Sequence, residues 1–159
     1  MRAKYTATDI AYWFLGAIDR DAGDAVTHLK LQKLIYYAQA WSLARRNVPL
    51  FDEELQAWAH GPVAESVFQE FRGSSWDALP APKTVPSIAE VDESQLRDIL
   101  DVYGEYSAKQ LERMTHSEAP WLRARGDISP EARSNTVIDK GLMAQFYRDL
   151  YDRAENEPG

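Results

Sequence analysis

Cysteine is absent from this chain of 159 residues, and histidine occurs only three times. The missing cysteine excludes disulfides, thiol catalysis and zinc sites built on thiolates, and it fits a reducing compartment. The three histidines, His28, His60 and His116, include no pair at the helical spacing of an HExxH zinc site. We therefore expect neither a metal ion nor another cofactor.

Long apolar runs and nucleotide-binding or catalytic motifs are missing as well. No stretch approaches the roughly 20 apolar residues that span a bilayer, and Met1–Asp9 lacks the apolar core of a signal peptide. The isolated glycines form no phosphate-binding loop, and no GxSxG sequence marks a nucleophilic serine. These absences predict a soluble, cytoplasmic protein without membrane contact, and they argue against an enzyme.

The charge is acidic overall and unevenly distributed. The formal net charge is −7, and residues 1–50 carry seven Lys/Arg against four Asp/Glu, whereas residues 51–100 carry three against ten. Binding to duplex DNA needs a concentrated basic surface, so a nucleic-acid partner is not expected. The asymmetry instead offers a protein partner two electrostatically distinct faces.

The composition is that of one globular domain. A hydrophobic content of 45% is enough for one core without disulfides or metals. The periodicity predicts a mainly α fold, a compact bundle of about six to seven helices with at most one short β pairing. We expect the domain to cover residues 1–155 and the tail, residues 156–159, to fray.

Two helices are predicted in the first third of the chain. Thr6 caps a helix over Thr8–Arg20, which Asp21–Asp24 interrupts. Thr27 caps a longer second helix that ends at Asn47. Its buried face is an apolar stripe made of Leu31, Leu34, Ile35, Ala38 and Trp41.

A turn and a third helix are predicted next. The segment Glu54–Ala59 is typical of a short strand or an extended connector. Gly61 followed by Pro62 predicts a turn with the proline in the first helical position, and Gly73 ends the helix. The apolar face of this helix comprises Val63, Val67, Phe68 and Phe71.

A proline-containing connection over residues 74–90 leads into the fourth helix. A short strand near Thr84–Ile88 is possible within this connection. Asp92 with Gln95 resembles a cap for the fourth helix, which ends at Gly104.

Three further helices complete the predicted bundle. Ser107 with Gln110 forms a capping box for a helix that ends near His116. Pro120 opens a short helix, and Asp139 precedes the last amphipathic helix.

Polar residues on the second helix are candidates for partner binding. Gln32, Tyr36 and Gln39 form a stripe distinct from the apolar face. Amides and a phenol in line can bind the backbone of a partner, or they can bind the protein's own segment 57–61. The sequence leaves both alternatives open.

The segment that follows the second helix has two interpretations as well. Trp58 and His60, next to the Gly61–Pro62 turn, can shape a recognition pocket, or Trp58 can anchor the connector on helix two. His116 has the position of a residue that hydrogen-bonds at a helix end. A solvated helix face is the simplest interpretation of the basic residues Lys30, Lys33, Arg45 and Arg46.

An ordered set of short motifs resembles the Panacea domain. These motifs are LKLQKL at 29–34, YYAQAW at 36–41, PLFD at 49–52, AWAHGPV at 57–63 and THSEAPW at 115–121. The likeness spans most of the chain, to about Arg125. The residues that the resemblance marks as structural are Leu31, Leu34, Tyr37, Trp41, Gly61, Pro62, Thr115, His116, Pro120 and Trp121.

The resemblance implies a bacterial or phage antitoxin that neutralises a cognate toxin by direct protein–protein binding, without catalysis. The SocA-like members imply an alternative, a proteolytic adaptor that delivers the toxin to an ATP-dependent Clp protease. A third possibility is a DNA-binding protein that regulates its own operon. Partner-binding candidates are Gln32, Tyr36, Gln39, Trp58 and His60, while the toxin and the oligomeric state stay open.

Overall fold

The computed structural model describes residues 3–18, 26–74 and 78–156, and within them it confirms a mainly α fold with one small sheet. None of these helices is both long and apolar enough to cross a membrane. In chain order the elements are α1 (Ala7–Ala17), α2 (His28–Arg46), β1 (Leu55–Trp58), β2 (Gly61–Ala64), α3 (Glu65–Phe71), α4 (Glu90–Tyr103), α5 (Ala108–His116), α6 (Ala119–Arg125) and α7 (Lys140–Asn156).

Helix α2 is the centre of the domain and is buried on nearly every side. It packs against α1, α4, α5, α7 and β2, so its polar residues are enclosed together with its apolar ones. Both predicted ends are confirmed, since the Thr27 side chain accepts from the Lys30 N–H and Asn47 takes a left-handed conformation with φ 56°.

Helix α1 forms as expected at its start and ends earlier than expected. The side chains of Thr6 and Asp9 form a capping box. The helix stops at Ala17, where the next residue adopts an extended conformation. The predicted break at Asp21–Asp24 lies outside the described residues, as do residues 157–159 of the predicted tail.

The prediction that Pro62 starts the third helix was wrong. Residues 61–64 form β2, which pairs with β1 in an antiparallel register that places Trp58 opposite Gly61. Helix α3 begins only at Glu65. Pro62 is tolerated here because the outer edge of β2 faces α2 side chains instead of a third strand, so no ladder needs its missing N–H.

Two predictions for the region before and within α4 also fail. Residues 84–88 contain no strand, and α4 begins at Glu90, ahead of the proposed Asp92–Gln95 cap. Asp92 is buried in the first turn, where it accepts hydrogen bonds from Tyr5 Oη and Arg46 Nη2, each at 2.7 Å. Its carboxylate therefore joins three elements instead of capping one. The pKa of Asp92 is lowered, because these bonds and the nearby cations outweigh burial, which raises it.

Gln39 holds the chain after α2 in place. Its Oε1 accepts from the Leu50 N–H at 2.8 Å and its Nε2 donates to the Phe51 carbonyl at 2.9 Å, with the side chain fully buried. One carboxamide thus replaces the backbone partner that a neighbouring strand would supply.

Replacing Gln39 by methionine should destabilise the domain by about 2–4 kcal/mol, because a buried N–H and a buried C=O lose their partner while the volume stays similar. Urea unfolding measures this change. The matched control, Gln145→Met on an exposed part of α7, should stay within about 0.5 kcal/mol of the wild type. Equal midpoints for both variants would contradict the role assigned to Gln39.

Candidate functional site

The β hairpin is fastened to α2 by two buried polar side chains. Gln32 accepts from the Ala64 N–H at 2.9 Å and donates to the Ala64 carbonyl at 3.4 Å. Lys33 Nζ donates to the Pro62 carbonyl at 3.0 Å. Both side chains are fully buried. The backbone groups on the outer edge of β2 therefore find their hydrogen-bond partners on α2.

Gly61 is required by this arrangement. Its φ is +109°, and a Cβ atom at this position would lie 2.4 Å from Lys33 Cε and 3.0 Å from Thr115 Oγ1. The glycine therefore lets the turn approach both α2 and α5. This explains why Gly61 and Thr115, far apart in sequence, belong to one structural unit.

Lys33 is not part of a solvated helix face, as the sequence suggested, but lies fully buried under the hairpin. Burial lowers the pKa of its amine from 10.5 to about 7, and the negative charge of Glu112 opposes this shift. The reason for the wrong interpretation is that the hairpin folds back over the polar side of α2.

Residues of α5 and α6, among them His116 and Trp121 of the THSEAPW motif, contact the hairpin from the other side. Trp121 Nε1 donates to the Trp58 carbonyl at 2.8 Å, and the His116 ring stacks on Trp121 with centroids 4.1 Å apart. Arg125 donates to the Ala57 carbonyl at 2.8 Å and is buried. Burial lowers the pKa of His116. These side chains hold β1 from α5 and α6.

A cluster of tyrosines surrounds the carboxylate of Glu118 at the start of α6. Tyr37 and Tyr147 hydroxyls lie 2.8 and 3.0 Å from its Oε1, and the hydroxyls of Tyr36 and Tyr147 are hydrogen-bonded at 3.0 Å. Tyr37 also stacks on Tyr103 with centroids 4.0 Å apart. Burial raises the pKa of Glu118 against the effect of its two hydrogen bonds. No periodic pattern in the sequence points to Glu118, because its tyrosine partners come from other helices.

The accessible part of the site is the turn itself. The His60 side chain is 60% exposed and places Nδ1 3.1 Å from Glu112 Oε1. Trp58 is half-buried and makes an edge contact with Phe68, with centroids 5.0 Å apart. These residues line an open cleft of about 740 Å³ whose other wall includes Arg133.

The five candidate residues thus separate into two groups. Gln32, Tyr36 and Gln39 are fully buried and bond within the chain, to Ala64, to Tyr147 and to Leu50 and Phe51. Their backbone partners are not the 57–61 segment that the sequence suggested. Trp58 and His60 line the cleft, where His60 is exposed and Trp58 is half-buried.

The motif residues with an expected structural role occupy the core of the same unit. Leu31, Leu34 and Tyr37 are fully buried, Trp41 packs against the core and donates to Tyr103 Oη at 2.8 Å, and Pro120 is buried in the first turn of α6. Over residues 3–18, 26–74 and 78–156, no group of three or more His, Asp or Glu side chains is arranged to hold a metal ion.

The Lys33 amine should make stability depend on pH. Above pH 7 the folded protein has lost this proton, whereas the unfolded chain keeps it until about pH 10.5, so raising the pH favours the folded state. Between pH 7 and 9.5, the free energy of unfolding of the wild type should rise by about 2–3 kcal/mol relative to Lys33→Met. Urea unfolding at several pH values measures this. A constant difference across the range would contradict a buried amine with this pKa.

Comparison with known proteins agrees with the motif analysis. No curated protein and no solved structure matches the chain significantly. Residues 31–122 match the family described as "Antitoxin SocA-like, Panacea domain". The match covers more than half of the 159 residues and includes the hairpin, its Gln32 and Lys33 anchors, and the stacked His116 and Trp121. The chain therefore belongs to the SocA-like antitoxin family that carries the Panacea domain.

Proposed function

We propose that this protein is a cytoplasmic antitoxin that neutralises a cognate toxin by direct protein–protein binding through the cleft at the hairpin turn. The observation that carries the proposal is that Trp58 and His60 lie within the family match and line an open cleft, with His60 exposed and Trp58 half-buried. The other three candidates are buried in the same core.

The cleft has the composition of a protein-binding surface. Trp58 and Phe68, both half-buried, supply aromatic surface, and His60 with Arg133 supplies polar, hydrogen-bonding groups. Aromatic and arginine side chains are the residues that most often dominate binding energy at interfaces. The fixed hairpin beneath them lowers the entropy cost of binding, because β1 and β2 are already held by α2, α5 and α6.

Masking of the toxin is favoured over operator binding because three basic residues of α2 make contacts within the chain. Lys33 is buried, Lys30 donates to the Gly104 carbonyl at 2.7 Å and Arg46 pairs with Asp92. These three side chains are engaged within the chain, which reduces what they can contribute to phosphate contacts. We also infer a non-catalytic role, because the chain belongs to an antitoxin family and masking a toxin needs no reacting group.

The test is co-purification with the product of the neighbouring gene, followed by rescue of growth on co-expression. Trp58→Ala and His60→Ala should each weaken the complex by about tenfold or more, because they remove cleft contacts. The control Lys83→Ala, an exposed residue outside the cleft, should bind like the wild type.

Four outcomes separate the alternatives. A stable but harmless toxin supports masking, whereas a toxin half-life that falls only in the presence of a Clp-type protease identifies a proteolytic adaptor. Failure of both complex formation and rescue would refute the antitoxin proposal. If both cleft variants bind the toxin with wild-type affinity, the interface lies elsewhere on the protein.

A further inference from the structure

The cleft at the hairpin turn has two walls, and the second comes from a connection that the family match does not reach. The first wall consists of residues of the hairpin and α3. The second wall consists of Glu131, Arg133, Ser134 and Asn135. These four residues belong to the connection 126–139 between α6 and α7, whereas the family match ends at residue 122. Whatever holds this connection in place therefore determines the shape of the cleft.

Arg125, the last residue of α6, joins the two walls. Its Nη1 donates to the Ala57 carbonyl of β1 at 2.8 Å. Its Nη2 donates to the Ser129 carbonyl at 2.5 Å and to the Ala132 carbonyl, directly before Arg133, at 2.6 Å. One guanidinium group thus fixes the backbone of both walls relative to each other.

The second wall has few other attachments. Among the residues that the structure describes, residues 129–135 form hydrogen bonds only with one another, with Thr136 and with Arg125. Beyond the wall the connection is fixed to β1, since the Ala57 N–H donates to the Thr136 carbonyl at 2.8 Å. Without the Arg125 side chain, the second wall would be held at its two ends alone.

The guanidinium group is suited to this task by its shape. It carries five N–H donors in one rigid plane, and its two terminal nitrogens reach carbonyls of different segments. A lysine has a single nitrogen, which cannot lie at the Nη1 and Nη2 positions together. The ring of Trp121 lies 4.9 Å from the guanidinium carbon of Arg125 and fixes its orientation.

Stability alone does not account for the burial of Arg125. The residue is only 3% exposed, and its hydrogen-bond acceptors are backbone carbonyls. Removing a cation from water costs free energy, and well-packed apolar residues in place of buried ion pairs are often equally stable or more stable. An apolar side chain cannot, however, bind three carbonyls of two segments. The property that distinguishes Arg125 is therefore the geometry that it imposes.

The second wall differs chemically from the first. Trp58 and Phe68 supply aromatic surface, whereas Glu131, Arg133 and Asn135 are exposed side chains with a charge or an amide. Aromatic surface contributes mainly affinity, while charged groups select a partner through electrostatic complementarity. Such selection requires that the charges lie at defined positions, which is what a fixed second wall provides.

We propose that Arg125 is a positioning residue for partner binding: it sets the distance between the two walls, so that Arg133 contacts the same toxin as Trp58 and His60. The inference rests on the proposed function of the cleft. It adds to that function a residue that does not itself line the cleft and that acts through the backbone of residues 129–132.

The first test is limited proteolysis of the free protein with a glutamate-specific protease. Arg125→Lys should raise the rate of cleavage after Glu131 by about fivefold or more, because the second wall opens more often. Cleavage after Glu54, in another connection, should keep its rate. The control Arg123→Lys, at an exposed position of the same helix, should change neither rate.

Two results of this test lead further. An unchanged rate after Glu131 would show that Arg125 does not hold the second wall, and would overturn the proposal. If Arg125→Lys also speeds cleavage after Glu54, the whole fold is affected. Arg125→Gln then replaces it with the same expectations, since it buries no charge and keeps one donor group.

The second test is a double-mutant cycle on the complex with the product of the neighbouring gene. Arg125→Lys should weaken binding by about tenfold, and Arg123→Lys should not weaken it. Arg133→Ala should cost about tenfold in the wild type but less than about twofold in the Arg125→Lys background, because the displaced wall no longer brings Arg133 to the toxin. His60→Ala should cost the same factor in both backgrounds.

The outcomes separate this inference from the proposed function. A wild-type chain that forms no complex would refute both. A wild-type complex that Arg125→Lys leaves intact would refute the positioning role alone, as would an Arg133→Ala effect of equal size in the two backgrounds. A general loss of stability cannot imitate the expected result, because it would not remove the effect of Arg133→Ala while keeping that of His60→Ala.

Discussion

The fold depends on hydrogen bonds from the polar side chains of α2 to a backbone that is not helical. Residues 50–64 leave the helical pattern, and their N–H and C=O groups need partners inside a core of helices. Gln32, Lys33 and Gln39 supply them, so that a short hairpin is held without a third full strand on its outer edge. The cost of an unpaired buried backbone group makes these contacts specific.

This constraint explains why distant motifs occur together. The Lys33 amine can reach the Pro62 carbonyl only because Gly61 has no Cβ, and the same glycine leaves room for Thr115. Trp121 then closes the other side of β1 through its bond to Trp58. A change at one of these positions alters how the whole hairpin packs, and with it the position of the exposed turn that carries His60.

The cleft and Gln95 differ in how they depend on the packing of the hairpin. The cleft at Trp58 and His60 is built directly on the hairpin and is therefore rigidly placed. Gln95 lies on α4, away from the hairpin, and its buried carboxamide has no hydrogen-bond partner among the described residues.

The sequence by itself determined the helices, because periodicity and capping are local. It located both ends of α2, the capping boxes of α1 and α5 and the family motifs. It misplaced Pro62, which lies in a strand paired with β1, and it assigned Lys33 to solvent, because the hairpin that buries Lys33 lies about 30 positions away in the printed sequence.

Only the tertiary structure decided which polar residues are buried and what they bind. Gln32, Tyr36, Gln39 and Gln95 look alike in the sequence as polar helix residues, yet three have partners within the chain and one has none among the described residues. The reason is physical: a side-chain hydrogen bond depends on where a second segment lies in space, and that position is fixed by the packing of the whole core.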